Sequence, residues 1–123
     1  MITETKELNA VDYFRAKLQF ETTPHQLKAA LENKSVFLVD VRDHASFQAE
    51  HITGAVNIPM DEIISHLSQF PKDKTIVTYC WTMTCALAPK AALTLAEKGY
   101  KVQELVGGIA EWKTNKFPVQ SGS

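Results

Sequence analysis

A chain of 123 residues, 45% hydrophobic and 22% charged, has the size of one globular domain that buries roughly two thirds of its unfolded surface, and leaves no room for a second. The net charge of -1 and the absence of any lysine or arginine run exclude the concentrated basic face that nucleic acid requires. Two cysteines are too few for a secreted disulfide framework or a four-ligand zinc site.

The N-terminal stretch 1–7 is polar and acidic and lacks the apolar core of a secretory signal. No later segment reaches membrane-spanning length, so a soluble, cytoplasmic chain without a membrane partner is expected. Asn9 with Asp12 three positions on reads as a capping pair, and Val11, Phe14 and Leu18 follow at helical spacing, which predicts a short leading helix. Residues 18–22 alternate like a half-buried strand. Thr23-Pro24-His25-Gln26 is a strong helix start, with Thr23 as N-cap, Pro24 as first helical residue and Gln26 as reciprocal cap.

Val36-Phe37-Leu38-Val39 is a continuous apolar run, as expected of a parallel strand covered on both faces, and it ends in the charged group 40–43. A helical turn over 45–50, a short strand over 55–58 and a helix over 61–70 with Ile63, Ile64 and Leu67 inward come next. A turn over 71–74 leads to a strand over 75–79. A helix over 86–98 is stopped by Gly99, a strand spans 102–105, and Gly107-Gly108 opens a last helix through Trp112 to about residue 114. Strands alternating with helices predict right-handed crossovers and a mainly parallel sheet, whose ligands bind beyond the carboxyl ends of the strands.

Cys80 stands at such an end. A thiol between a strand and a following helix sits in the partial positive field of the helix N-terminus, which favours the thiolate. The backbone N–H groups of Trp81, Thr82, Met83, Thr84, Cys85 and Ala86, with the two threonine hydroxyls, can form a nest for an extra anionic sulfur on that thiolate. Trp81 can wall the pocket or meet a partner's thiol, whereas Trp112 reads as core. His51 reads as structural, because it precedes a turn where an imidazole commonly fixes backbone. Gly107-Gly108 reads as a close turn from strand into helix. No metal-ligand set and no serine, histidine and acid arrangement stands out.

The stretches Leu38-Val39-Asp40-Val41-Arg42, Phe47-Gln48-Ala49-Glu50-His51-Ile52-Thr53-Gly54-Ala55, the cysteine loop after Tyr79, and Leu105-Val106-Gly107-Gly108-Ile109-Ala110-Glu111-Trp112 together resemble the single-domain rhodanese-like sulfurtransferase family over about 22–119. The resemblance implies an α/β rhodanese-like fold with a five-stranded, mainly parallel central sheet and helices on both faces. In that frame 1–21 is an N-terminal helix and lead-in strand, 22–119 the core, and 120–123 a frayed tail. It implies that Cys80 accepts a sulfane sulfur as a persulfide, needs no cofactor, and passes the sulfur to a thiol, cyanide or a protein acceptor. It also implies that Asp40 organises the neighbouring loops.

Arg42, one of the chain's two arginines, is the cation best placed to meet an anionic substrate; a surface ion pair of Asp40 with Arg42 is the plainer alternative. Many relatives carry an arginine where Cys85 stands and a glycine where Met83 stands. The uncharged loop therefore predicts weak binding of thiosulfate, a dianion, and argues against phosphatase or arsenate reductase chemistry. Pro89 is tolerable only in or beside the first turn of its helix. Cys85 has two readings: a resolving thiol that closes a disulfide with Cys80 in a redox or sulfur-responsive module, which needs Cα atoms within about 7 Å, or a small buried hydrophobe.

Overall fold

The computed structural model describes residues 8–82 and 84–122. The N-terminal stretch 1–7, Met83 in the cysteine loop and Ser123 lie outside the described residues. Helix α1 (Ala10–Phe20) is capped by the Asn9 side chain, which accepts from the Asp12 N–H. It runs through the residues expected to begin a strand: the Glu21 N–H still bonds the Lys17 carbonyl, and β1 is confined to Glu21–Thr22. Three alternating residues are too short a pattern to override a helix already propagating. Val11, Phe14 and Leu18 of α1 are exposed.

Helix α2 (Pro24–Glu32) begins as its sequence predicts. Thr23 accepts from the Gln26 N–H while the Gln26 side chain accepts from the Thr23 N–H, so two orphan donors are satisfied reciprocally. The remaining elements are β2 (Val36–Asp40), α3 (His44–Ala49), β3 (His51–Ile52), β4 (Val56–Asn57), β5 (Thr75–Tyr79), α4 (Leu87–Glu97), β6 (Val102–Leu105), α5 (Gly108–Thr114) and β7 (Val119–Gln120).

The helix expected over 61–70 is instead two 3-10 segments, Met60–Glu62 and Ile64–Gln69, interrupted where His66 leaves helical geometry. Ile63 and Leu67 lie against the core while Ile64 turns outward, 57% exposed; an unbroken 3-10 helix would put Ile64 and Leu67 on one face, and the break at His66 separates them. Gln120, read from the sequence as part of a frayed tail, is paired: β7 lies antiparallel to β3 with His51 opposite Gln120, and the Gly122 N–H donates to the Gln48 carbonyl. A short terminal strand gains order by satisfying its backbone on a neighbour.

The central sheet has strand order β1-β6-β5-β2-β4, every pair parallel. Alternation along β5 divides the core. Ile76 joins a cluster with Val39, Ile63, Ala88, Ala91 and Leu95 on the α4 side, while Val77 and Tyr79 join Leu27, Leu38, Ile109 and Trp112 on the α2 and α5 side. Both faces are thus covered, which is why β2 and β5 read as continuous apolar runs. Trp112 is core, its indole N–H donating to the Pro118 carbonyl. His51 is structural: it is buried, stacks on Phe47 and holds the Phe47 carbonyl through Nδ1. Among the described residues no helix is long and apolar enough to cross a membrane.

Candidate active site

Cys80 follows the last residue of β5, the middle strand, so the sheet itself fixes where the thiol stands. Continuing the alternation, its side chain falls on the α4 face, 2% exposed, in the cluster with Ala88 and Ala91. Cys85 packs half-buried against the same cluster. The two sulfurs are joined as a disulfide with Cα atoms 6.6 Å apart, inside the reach expected for the pair.

Between them the loop is short and self-bonded. The Cys85 N–H donates to the Thr82 carbonyl, and the Thr82 and Thr84 hydroxyls bond each other at 3.1 Å. In this oxidised form the two hydroxyls, counted above among the groups that can complete a sulfur nest, are partners of one another. Ala86 stands at the N-cap of α4 without a side-chain cap bond, and Pro89 occupies the third helical position, in the first turn where its missing N–H costs nothing.

The loop rests on a buried ion pair. The Arg42 guanidinium donates to both Asp40 oxygens, from Nε at 3.0 and 3.1 Å and from Nη2 at 2.7 Å, and Nη2 also donates to the Glu50 carbonyl at 2.6 Å. The Arg42 N–H donates to Asp40 Oδ1 as well. Asp40 is 0% and Arg42 1% exposed, so the pair is buried and not the surface ion pair of the plainer alternative, and the guanidinium is committed to Asp40 and the Glu50 carbonyl. Burial pushes the guanidinium pKa down, but the hydrogen bond and charge of Asp40 outweigh it and hold the pKa above its usual value. Burial, then the Asp40 charge, also drives the Tyr79 pKa far up, so its hydroxyl stays neutral and accepts from the Ile52 N–H.

Trp81, 48% exposed, lies over the guanidinium with 4.4 Å from Arg42 Cζ to the ring centroid, a cation–π contact that ties the loop to the pair beneath it. Asn57 Nδ2 donates to the Asp40 and Arg42 carbonyls at 3.0 Å each. Asp40 thus holds Arg42, which lies beneath the Trp81 ring, and makes no hydrogen bond to either cysteine among the described residues.

Two positioning residues were missed from sequence. Asn57 is one; a polar side chain closing a short apolar strand was its only signal. The other is Gly108, read merely as a close turn. Its φ is +61°, and a Cβ there would stand 2.5 Å from the Cys80 carbonyl oxygen and 2.8 Å from the Trp81 carbonyl. The bare backbone lets α5 dock on the loop, with the Ile109 N–H donating to the Cys80 carbonyl at 3.0 Å and the Ala110 N–H to that of Trp81 at 3.1 Å.

A cavity of about 280 Å³ opens beside Trp81 and Thr82, lined also by Arg42, Ile109 and Lys113. Lys113 brings a cation to its rim, paired with Glu50 at 2.6 Å. Neither cysteine lines the wall of this cavity, nor of the larger hollows between α1 and α4 and beside α2.

A parallel five-stranded sheet with a cysteine loop at the end of its middle strand defines the class, and sequence comparison agrees. Residues 23–115 match the rhodanese-like domain, and the chain belongs to that family. A sulfurtransferase of Allochromatium vinosum is 34% identical over 89 residues, 72% of this chain and 81% of that protein. The HTH-type transcriptional regulator Rv0324 of Mycobacterium tuberculosis is 39% identical over 101 residues, 82% of this chain but only 45% of the regulator, so the chain spans under half of that relative. The BH2092 protein of Bacillus halodurans superimposes with a TM-score of 0.84 at 34% identity, covering 91% of this chain and 84% of that one.

Proposed function

We propose that the protein is a sulfurtransferase of the cytoplasm that carries sulfane sulfur as a persulfide on Cys80. The observation that supports this reading is the place of Cys80, at the end of the middle parallel strand and ahead of a helix, in a chain whose relatives include a named sulfurtransferase. The Cys80 thiolate would attack the outer sulfur of thiosulfate and release sulfite, or take a sulfur from polysulfide. An acceptor thiolate, on a small molecule or a protein, or cyanide then removes that sulfur, and Cys80 leaves as the thiolate.

The test is the intact mass of the reduced protein after incubation with thiosulfate and, separately, with polysulfide. The wild type gains sulfur, and Cys80→Ser gains none. Sulfur retained on Cys80→Ser would overturn the assignment.

Residues 81–86 carry no charge, and Arg42 is committed to Asp40. Cys85→Arg is therefore expected to raise kcat/KM for thiosulfate by about tenfold, the worth of one charge-assisted contact to a dianion; steady-state sulfite release checks it. A second reading is favoured by the Cys80–Cys85 bond: a redox or sulfur-responsive interaction module with little thiosulfate turnover, in which a partner reads the disulfide. That reading predicts loss of two hydrogens from the reduced mass without sulfur ever being found on Cys80, even when Cys85 is replaced.

A further inference from the structure

We infer that Cys85 converts the Cys80 persulfide into free sulfide, making the domain a dithiol-dependent reductase of sulfane sulfur; this rests on Cys80 carrying the persulfide. Three observations lead there. The two Sγ atoms are already bonded, so the loop brings Cys85 onto the Cys80 sulfur without rearrangement of the described fold. The loop residues supply no charged side chain to hold the outer sulfur, and the nearest arginine is spent on Asp40 and Glu50. Finally, Cys80 is 2% exposed while Cys85 is only half-buried, so an external acceptor meets Cys85 first.

An internal thiol at bonding distance acts at an effective concentration far above that of any dissolved thiol. The Cys85 thiol attacks Sγ of Cys80, the bond from that atom to the outer sulfur breaks, and the Cys85 proton leaves with it: Cys80–S–S⁻ plus Cys85–SH gives the Cys80–Cys85 disulfide and HS⁻. The outer sulfur is reduced by two electrons and the two cysteine sulfurs together are oxidised by two. A protein or small-molecule dithiol resets the site. Its first thiolate attacks the more accessible Cys85 Sγ, expelling the Cys80 thiolate, and its second thiol then frees Cys85 and leaves the reductant as its own disulfide. The neighbouring reactions are thus of two classes, one that supplies polysulfide or persulfide and one that consumes sulfide.

Single turnover separates this from simple carriage. The reduced protein, freed of reductant, is given inorganic polysulfide, desalted and followed by intact mass and by released sulfide. The wild type is expected to lose its added sulfur within the dead time, release one sulfide per chain and settle two hydrogens below the reduced mass. Cys85→Ser, and Cys85→Ala as the variant that preserves apolar packing, are expected to keep the sulfur adduct and to release sulfide at least about tenfold more slowly. Adducts as long-lived on the wild type as on both variants would overturn the inference. Failure of both variants to load any sulfur would overturn the Cys80 persulfide itself.

Discussion

Asp40→Ala is expected to lower stability by about 3–5 kcal/mol, a large share of the roughly 5–15 kcal/mol that a domain possesses. The cause is what remains behind. Arg42 is 1% exposed, and among the described residues its guanidinium without Asp40 keeps only the Glu50 carbonyl as a hydrogen-bond acceptor, leaving a buried charge uncompensated. Replacing both partners, Asp40→Leu with Arg42→Met, is expected to cost far less, because no charge is then stranded. Chemical denaturation of the two variants checks the contrast. Equal losses from single and double replacement would mean that the site depends on the shape of the pair and not on its charge. Trp81 should respond in both, since its ring lies on the guanidinium.

Gly108→Ala carries the second largest expectation, a loss of about 2–5 kcal/mol. A left-handed backbone costs an ordinary residue about 1–2 kcal/mol, and overpacking adds about 1–3 kcal/mol. Here the obstacle is backbone on both sides, the Cys80 and Trp81 carbonyls, which cannot rotate away as a side chain would. Relief requires α5 to move off the loop and stretch the two bonds from the Ile109 and Ala110 N–H groups. Sulfur loading on Cys80 is therefore expected to fall together with the melting temperature, measured by intact mass and by calorimetry. Full loading in a destabilised variant would show that α5 supports the fold without aligning the thiol.

The parts of this molecule that depend on neighbours in the chain were readable from the chain. Thr23 and Gln26 cap α2 reciprocally, Gly99 ends α4 with φ +90°, and Cys80 falls at a strand end because an apolar run stops there. Errors arose where local pattern is ambiguous. Leu18-Gln19-Phe20 alternates by chance inside a helix, and the apolar spacing of Ile63 and Leu67 is the same whether one α-helix or two 3-10 segments broken at His66 carry them. What could not be read is set by packing between distant segments. Asp40 and Arg42 look like surface charges until α3 and the Trp81 ring close over them, and Gly108 looks like an ordinary turn glycine until the Cys80 carbonyl arrives beside it.

The pairing of β1 with β6 places Glu21 opposite Glu104 and Thr22 opposite Leu105, joining residues near opposite ends of the chain. Such a pairing must meet its loop-closure entropy before the contacts that reward it form, which is expected to slow folding relative to a helical bundle of this size. During synthesis the two cysteines leave the ribosome ahead of β6 and α5. For that interval the nascent chain exposes both thiols on a loop that nothing yet supports, and the reducing power of its surroundings, not the finished fold, decides whether they reach the native state joined or free.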